Sequence, residues 1–120
     1  MMNTILIVDD SMTDLHITQI SLQQAGFLVV TARSEQEAKA QIANQKPDLI
    51  VLDVVLPDRS GFELCRALKG EEKTKKIPVV MCSSKSTKMD RYWGLQQGAD
   101  AYIAKPIQTE ELLKTVQKLL

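Results

Sequence analysis

The sequence has few aromatic residues, few cysteines and no excess of charge of either sign. Phe, Trp and Tyr make up 4% of its 120 residues, which argues against a platform on which nucleic-acid bases stack. Basic and acidic residues each number 15, so the positive excess typical of nucleic-acid-binding proteins is missing. Cys65 and Cys82 show no CxxC spacing, which indicates reduced thiols rather than a disulfide framework. We therefore expect no nucleic-acid partner.

Long apolar runs and targeting signals are missing as well. The longest apolar runs have the length of a β-strand, far short of a membrane span. Residues 1–8 contain neither the basic segment nor the cleavage site of a signal peptide. We expect a cytoplasmic monomer without a membrane partner, in which residues 1–120 form a single domain with no output domain.

What the sequence does contain is a repeated unit of a short β-branched strand followed by a helix. Several of the strands are apolar without alternation, which is typical of strands covered on both faces. The predicted strands lie at 5–8, 28–31, 49–52, 79–81 and 101–103. Five such units favour an α/β fold with a doubly wound, five-stranded parallel sheet in the flavodoxin-like order 2-1-3-4-5. A closed eight-unit barrel would need about twice the residues.

Serine residues predict where helices begin. Three serines each stand three positions before an acidic residue, a spacing typical of the capping box at a helix N-terminus. The pairs are Ser11 with Asp14, Ser34 with Glu37, and Ser60 with Glu63. Gly26 and Gly98 stand where helix C-caps are expected.

Polar residues follow four of the predicted strands. Asp9 and Asp10 come after the first, Asp53 ends the third, Ser83 follows the fourth and Lys105 follows the fifth. In doubly wound sheets, ligands bind beyond the carboxyl ends of the strands, and the predicted order makes strands one, three and four neighbours. Each residue alone is most simply a turn former or a helix cap. The five together predict one functional crevice.

Three carboxylates that lie together repel one another unless a cation joins them. Their hard oxygen atoms suit Mg²⁺ or Mn²⁺, and such an ion would draw in a phosphate that the acids alone reject. Lys105 can hold a phosphoryl oxygen or pair with Asp53, and Ser83 offers one further donor. Asp53 is therefore the candidate carboxylate nucleophile, which would form an aspartyl phosphate.

Four stretches of the sequence resemble the receiver domain of two-component response regulators. They are ILIVDDS at 5–11, PDLIVLDVVLPDRSGFELCRALK at 47–69, IPVVMCSS at 77–84 and GADAYIAKPI at 98–107. The resemblance implies that Asp53 is the phosphoacceptor and that a histidine kinase supplies the phosphoryl group. It also implies that Asp10, Asp53 and the backbone carbonyl of Val55 bind Mg²⁺ directly, while Asp9 acts through a bound water.

The same resemblance implies a phosphorylation switch. Ser83 takes the place of the hydroxyl that moves toward the phosphoryl group, Lys105 that of the invariant lysine, and Tyr102 that of the rotating aromatic residue. A downstream protein effector would then bind the surface formed by the fourth helix, fifth strand and fifth helix. Trp93 is either an anchor for a partner or a core or cap residue of the fourth helix. The expected protein is a signalling module and not an enzyme.

A narrower resemblance concerns residues 83–106. Their sequence, SSKSTKMDRYWGLQQGADAYIAKP, is similar to that of stand-alone receivers in type IV pilus motility and phototaxis systems. It implies that the phosphodonor is a chemotaxis-type histidine kinase.

Three other functions stay open on the sequence alone. A phosphate sink would drain a kinase without contacting an effector. A magnesium-dependent phosphohydrolase would pass through the same aspartyl phosphate, but related-looking enzymes carry a general-acid aspartate where this chain has Val55. A flavin-binding module would need a first loop rich in Ser, Thr and Gly, whereas this loop opens with two acids.

Overall fold

Strands and helices alternate along the computed structural model, which describes residues 2–120. The five strands are β1 (Thr4–Val8), β2 (Leu28–Ala32), β3 (Leu49–Leu52), β4 (Val79–Ser83) and β5 (Ala101–Ala104). Neighbouring strands pair in parallel, in the order β2-β1-β3-β4-β5. The predicted α/β fold with a doubly wound 2-1-3-4-5 sheet is therefore confirmed.

Five helices alternate with the strands. They are α1 (Met12–Gln24), α2 (Glu35–Asn44), α3 (Gly61–Gly70), α4 (Lys88–Gln96) and α5 (Thr109–Leu119). Within the described residues, none of these helices has both the length and the apolar character needed to cross a membrane.

The helices cover both faces of the sheet. On one face, side chains of α2 and α3 such as Ala38 and Leu64 pack against alternate residues of the central strands. On the other face, Leu15 of α1 and Leu112 of α5 do the same. Because both faces are covered, β1, β3 and β4 are buried along their whole length, as their unbroken apolar runs predict.

Helix α4 is the least buried of the five. Gly94 is its one buried residue, whereas Met89, Tyr92, Trp93 and Leu95 are exposed. Trp93 is 52% exposed and α4 is capped by Thr87 and Gln97, so Trp93 is neither a core residue nor a cap.

The serines at the helix N-termini act as caps, but the predicted capping boxes are wrong. The side-chain oxygens of Ser11, Ser34 and Ser60 accept main-chain hydrogen bonds at the start of α1, α2 and α3. The acidic side chains that should complete the boxes bind elsewhere: Asp14 to Lys105, Glu37 to the main-chain N–H of Arg33, and Glu63 to Arg59. A complete box forms instead at α4, between Thr87 and Asp90.

Candidate functional site

The main chain continues the pairing of the strands for one residue beyond β1, β3 and β5. The N–H groups of Asp9, Asp53 and Lys105 donate to carbonyl oxygens at the ends of neighbouring strands, at 3.0, 2.9 and 3.0 Å. These bonds fix the positions of the main-chain atoms from which the three side chains extend. All three are therefore held at the carboxyl end of the sheet, where ligands of this fold bind.

Helix α3 holds the main chain at Asp53 from the other side. The N–H of Gly61 donates to the carbonyl of Val54 at 2.7 Å. A Cβ atom at position 61 would lie 2.0 Å from the carbonyl oxygen of Asp53, so this close approach requires glycine. The first residue of α3 thus packs directly against the candidate nucleophile.

The ammonium group of Lys105 joins three carboxylates. Its Nζ donates to Oδ2 of Asp9 at 2.7 Å, to Oδ2 of Asp14 at 2.9 Å and to Oδ2 of Asp53 at 2.9 Å. Because an ammonium has three donors, all of them are occupied. The structure brings Lys105, Asp9 and Asp53 together as the sequence predicts.

Burial and charge act in opposite directions on the pKa values of this cluster. Burial raises the pKa of Asp9 above its usual 3.8, although the hydrogen bond from Lys105 works against that rise. Burial lowers the pKa of Lys105, but its hydrogen bonds to Asp9, Asp14 and Asp53 raise it by more, so the pKa lies above 10.5. Lys105 therefore stays cationic at neutral pH, and the three acidic side chains outnumber it.

Asp10 lies at the rim of the site and does not contact Lys105. Its side chain is 55% exposed, and its Oδ1 is 4.0 Å from Nη2 of Arg33. Successive residues of an extended segment point in opposite directions, which explains why Asp9 is buried and Asp10 is exposed. The predicted convergence of all three acids is thus incomplete in this structure.

An open cavity of about 470 Å³ gives access to Asp53. Its lining consists of Asp10, Ser11, Asp14, Asp53, Val55, Ser84, Lys105 and Pro106. One carboxylate oxygen of Asp53 accepts from the N–H of Val55 at 3.2 Å, and the other accepts from Lys105. The carboxylate is therefore held in a fixed orientation at the wall of a cavity that a phosphodonor can enter.

Within residues 2–120 no group of three or more Asp, Glu, His or Cys side chains is arranged so that it could hold a metal ion. The ammonium of Lys105 lies between Asp9 and Asp53 instead. The donor chemistry nevertheless fits Mg²⁺, because Asp10, Asp53 and Val55 bring oxygen ligands to one open cavity. The carboxylate of Asp10 is paired only at 4.0 Å, with Arg33, so this ion pair is a weak hindrance to its rotation toward Asp53.

Ser83 and Tyr102 are linked to each other through Lys85. The fully buried Ser83 accepts a hydrogen bond at Oγ from the N–H of Lys85, at 3.2 Å. The hydroxyl of Tyr102 donates to the carbonyl of Lys85. Ser84, rather than Ser83, is among the residues that line the cavity. The two residues predicted to act as a switch thus lie on one hydrogen-bonded path behind the site.

The ring of Tyr102 lies beneath α4. A Cβ atom at Gly94 would lie 2.8 Å from the ring, so the glycine makes room for it. The guanidinium carbon of Arg91 is 5.8 Å from the ring centroid, within the range of a cation–π contact. Burial raises the pKa of Tyr102 to about 12, so its hydroxyl remains a donor at neutral pH.

Sequence reasoning missed Asp14 as a site residue. The spacing from Ser11 assigned it to a capping box, whereas its carboxylate binds Lys105 and lines the cavity. The available signal was its position in the first turn of α1, which starts at the carboxyl end of β1. An acid in that turn lies near the strand end that carries Asp9.

Similar proteins are known both by sequence and by structure. A family model of the response regulator receiver domain matches residues 5–117. The phosphate regulon transcriptional regulatory protein PhoB of Pseudomonas aeruginosa is 42% identical over 117 residues, which are 98% of this chain and 51% of that protein. Protein PilH of the same organism is 37% identical over 119 residues, which are 99% of this chain and 98% of PilH.

A solved structure shows the same fold over its whole length. The chemotaxis protein CheY4 of Vibrio cholerae matches with a TM-score of 0.92 and 33% identity, covering 100% of both chains. The chain spans about half the length of PhoB and nearly all of PilH. With the family model covering residues 5–117 and the strand ends arranged as described, the chain belongs to the receiver-domain family of two-component response regulators.

Proposed function

We propose that Asp53 accepts a phosphoryl group from a phosphohistidine of a histidine kinase. The observation that carries this proposal is the position of Asp53, whose carboxylate is held by Lys105 at 2.9 Å and by the N–H of Val55 at the wall of an open cavity. In the transfer, a carboxylate oxygen of Asp53 forms a bond to phosphorus while the bond from phosphorus to the imidazole nitrogen breaks. The electron pair of that bond leaves with the imidazole.

Lys105 is the cation that this transfer requires from the chain itself. Its ammonium stays protonated at neutral pH and lies next to the accepting oxygen, so it stabilises negative charge on the transferred group. Asp10, Asp53 and the carbonyl of Val55 would hold Mg²⁺, with Asp9 acting through a water. The bound ion would neutralise charge on the phosphoryl oxygens.

Phosphorylation by acetyl phosphate tests the assignment of the acceptor. Incubation with acetyl phosphate and MgCl₂ is expected to add one phosphoryl group to the intact mass of the wild type. Asp53→Asn is expected to abolish the addition, because an amide oxygen is a poor nucleophile. Asp58→Asn is the matched control, since Asp58 is an exposed aspartate on the loop that follows Asp53. Equal labelling of wild type and Asp53→Asn would overturn the assignment.

We propose that phosphorylation acts as a switch on the surface formed by α4, β5 and α5. Movement of Ser83 toward the phosphoryl group would pull on the N–H of Lys85, whose carbonyl holds the hydroxyl of Tyr102. Because the Tyr102 ring lies against Gly94, a shift of Tyr102 displaces α4. The exposed apolar side chains of α4 make this surface suitable for a downstream protein effector.

Trp93 reports directly on this movement, because it is the sole tryptophan and lies exposed on α4. Beryllofluoride with MgCl₂, a mimic of the phosphoryl group, is expected to change the fluorescence of Trp93. Ser83→Ala is expected to reduce that change, because it removes the hydroxyl that starts the path. A wild-type protein that binds beryllofluoride with no change at Trp93 would contradict the switch and favour a phosphate sink.

We propose a chemotaxis-type kinase as the phosphodonor. The support is the match to PilH, together with the local similarity of residues 83–106 to stand-alone receivers. The test compares the rate of phosphotransfer to this chain from a chemotaxis-type kinase with the rate from a sensor kinase that serves a PhoB-like regulator. We expect the chemotaxis-type kinase to be the faster donor. Faster transfer from the second kinase would contradict the proposal.

The proposal extends to how the protein works in the cell. We infer a cytoplasmic monomer that signals through protein contacts, without nucleic acid or membrane as a partner. The zero formal charge and the low aromatic content support the absence of a nucleic-acid surface. Sedimentation velocity with and without beryllofluoride is expected to give a monomer in both conditions, and a dimer in either would contradict this part.

A further inference from the structure

Asp14 is the partner of Lys105 that the sequence pattern did not place in the site. Its Oδ2 is 2.9 Å from Nζ of Lys105, and its side chain lines the same cavity as Asp53. It accepts a hydrogen bond from the third N–H group of the Lys105 ammonium, whose other two N–H groups donate to Asp9 and Asp53. Any further acceptor on Lys105 therefore competes with one of these three carboxylates.

Asp14 also lies close to the candidate nucleophile. Its Oδ2 and the Oδ2 of Asp53 are both 2.9 Å from the same nitrogen. The two oxygens therefore lie within about 6 Å of each other, a range in which like charges repel. A phosphoryl group on Asp53 brings further negative charge into that space.

Loss of the Lys105 ammonium would destabilise the Asp9 carboxylate more than the Asp14 carboxylate. The side chain of Asp9 is 6% exposed, so its charge would be left buried without a cation. The side chain of Asp14 is 39% exposed, and water can solvate its carboxylate when the ammonium leaves. Asp14 is therefore the acceptor that yields when a phosphoryl oxygen arrives.

We propose that Asp14 is a positioning residue, which holds the third donor of Lys105 in the unphosphorylated protein and releases it to the phosphoryl group. This inference rests on the proposed function of Asp53. Because the ammonium must leave Asp14 before that donor can stabilise charge on the transferred group, Asp14 slows phosphorylation. A carboxylate at this position thus sets how readily the receiver is phosphorylated.

Asp14→Asn tests this role without disturbing the helix. The N–H of Asp14 donates to Ser11 and its carbonyl accepts from Thr18, and both groups are main chain and survive the substitution. Phosphorylation is followed by intact mass at saturating MgCl₂ over a range of acetyl phosphate concentrations. The maximal rate is expected to rise about threefold, the size of one half-exposed ion pair, with little change in the half-saturating concentration.

Three comparisons separate a role in positioning from other effects of the charge. Asp14→Glu is expected to keep the wild-type rate, because the carboxylate is restored. Glu72→Gln removes the same charge at the opposite end of the sheet, where Glu72 pairs with Lys75, and is expected to change nothing. The increase in Asp14→Asn is expected to persist in about 1 M salt, where the Debye length is about 3 Å and distant repulsion is screened.

Several results would overturn the proposal. They are an unchanged or lower rate in Asp14→Asn, an equal increase in Asp14→Glu, and an increase that disappears in high salt. Each of them, with normal labelling of wild-type Asp53, overturns the role of Asp14 and leaves the proposed function standing. Absence of label on the wild type would instead overturn the proposed function, and this inference with it.

Discussion

The two ends of the sheet both carry paired charges, but they pair them in different ways. At the amino end, Lys69 Nζ donates to the carbonyl of Ile77 at 2.8 Å and to Asp100 at 2.9 Å. Asp100 in turn accepts from the N–H of Val79, the first residue of β4, at 2.8 Å. At the carboxyl end, Lys105 instead contacts three carboxylates and no main-chain carbonyl with its Nζ.

This difference separates structural charges from charges that can do chemistry. A side chain bonded to the main chain of a strand cannot move without disturbing the sheet. Side chains bonded to one another can exchange partners when an anion or a metal ion enters. An acid just before a strand, such as Asp100, therefore fixes the fold, whereas an acid just after a strand, such as Asp53, remains available to a ligand.

The largest effect is expected from a substitution that separates α3 from the main chain at the carboxyl end of the sheet. Gly61→Ala would place a Cβ atom 2.0 Å from the carbonyl oxygen of Asp53, so α3 and Asp53 must move apart. We expect a loss of about 3 kcal/mol in the free energy of unfolding and a loss of phosphorylation. Gly70→Ala is the control, because its added Cβ meets no atom within 4 Å. Chemical denaturation that gives both variants equal stability would contradict the close approach.

A smaller effect is expected at the amino end. Asp100→Ala removes the partner of Lys69 and the acceptor of the N–H of Val79. We expect it to lower the free energy of unfolding by about 2 kcal/mol. The rate of phosphorylation by acetyl phosphate is expected to stay at the wild-type value under folding conditions. A slower rate in folded Asp100→Ala would show that the two ends are not separate in function.

Removal of a charge from the site is expected to raise the free energy of unfolding rather than lower it. Asp9→Asn is expected to raise the free energy of unfolding by about 1 kcal/mol in magnesium-free buffer, the usual size of relief at a strained functional site. Burial raises the folded-state pKa of Asp9 above 3.8, so the wild type loses stability as the pH rises through that pKa. Denaturation of both proteins at acidic and neutral pH checks this. A destabilised variant at neutral pH would mean that Asp9 serves the fold.

At neutral pH the smallest effect concerns the thiols, which belong to the packed layers between the two ends of the sheet. Burial raises the pKa of Cys65 to about 11 and that of Cys82 to about 12. The folded protein thus keeps protons that the unfolded chain releases near pH 9, and stability falls as the pH rises from about 9 toward 12. A thiol reagent at pH 8 is expected to modify neither cysteine until denaturant is added. Rapid modification of the native protein would contradict this packing.

The order of the sheet was predictable because its signals are local and redundant. Several apolar runs without alternation mark strands covered on both faces, and five strand–helix units in this length fit a single doubly wound order. Helix starts followed from the capping serines for the same reason. The start of α4 was missed, since α4 buries only Gly94 and Thr87 with Asp90 stands among other polar residues.

The composition of the site was predictable, but its pairings were not. The strand ends placed Asp9, Asp53 and Lys105 together, because parallel strands end at the same edge. Spacing alone could not show which partner a carboxylate takes, so Asp14 was assigned to a capping box with Ser11, whereas its carboxylate binds Lys105. The exposure of Asp10 depends on how the chain leaves β1, which residue types do not encode.

The most direct test is whether Mg²⁺ binds only at the carboxyl end of the sheet. Thermal unfolding is measured with and without MgCl₂ for the wild type, Asp53→Asn and Asp100→Ala, because a ligand that binds the folded state raises the midpoint. The wild type and Asp100→Ala are expected to gain the same increase, and Asp53→Asn is expected to gain far less. An Asp53→Asn protein that Mg²⁺ stabilises as much as the wild type would contradict the assignment of Asp53 and its neighbours as the site.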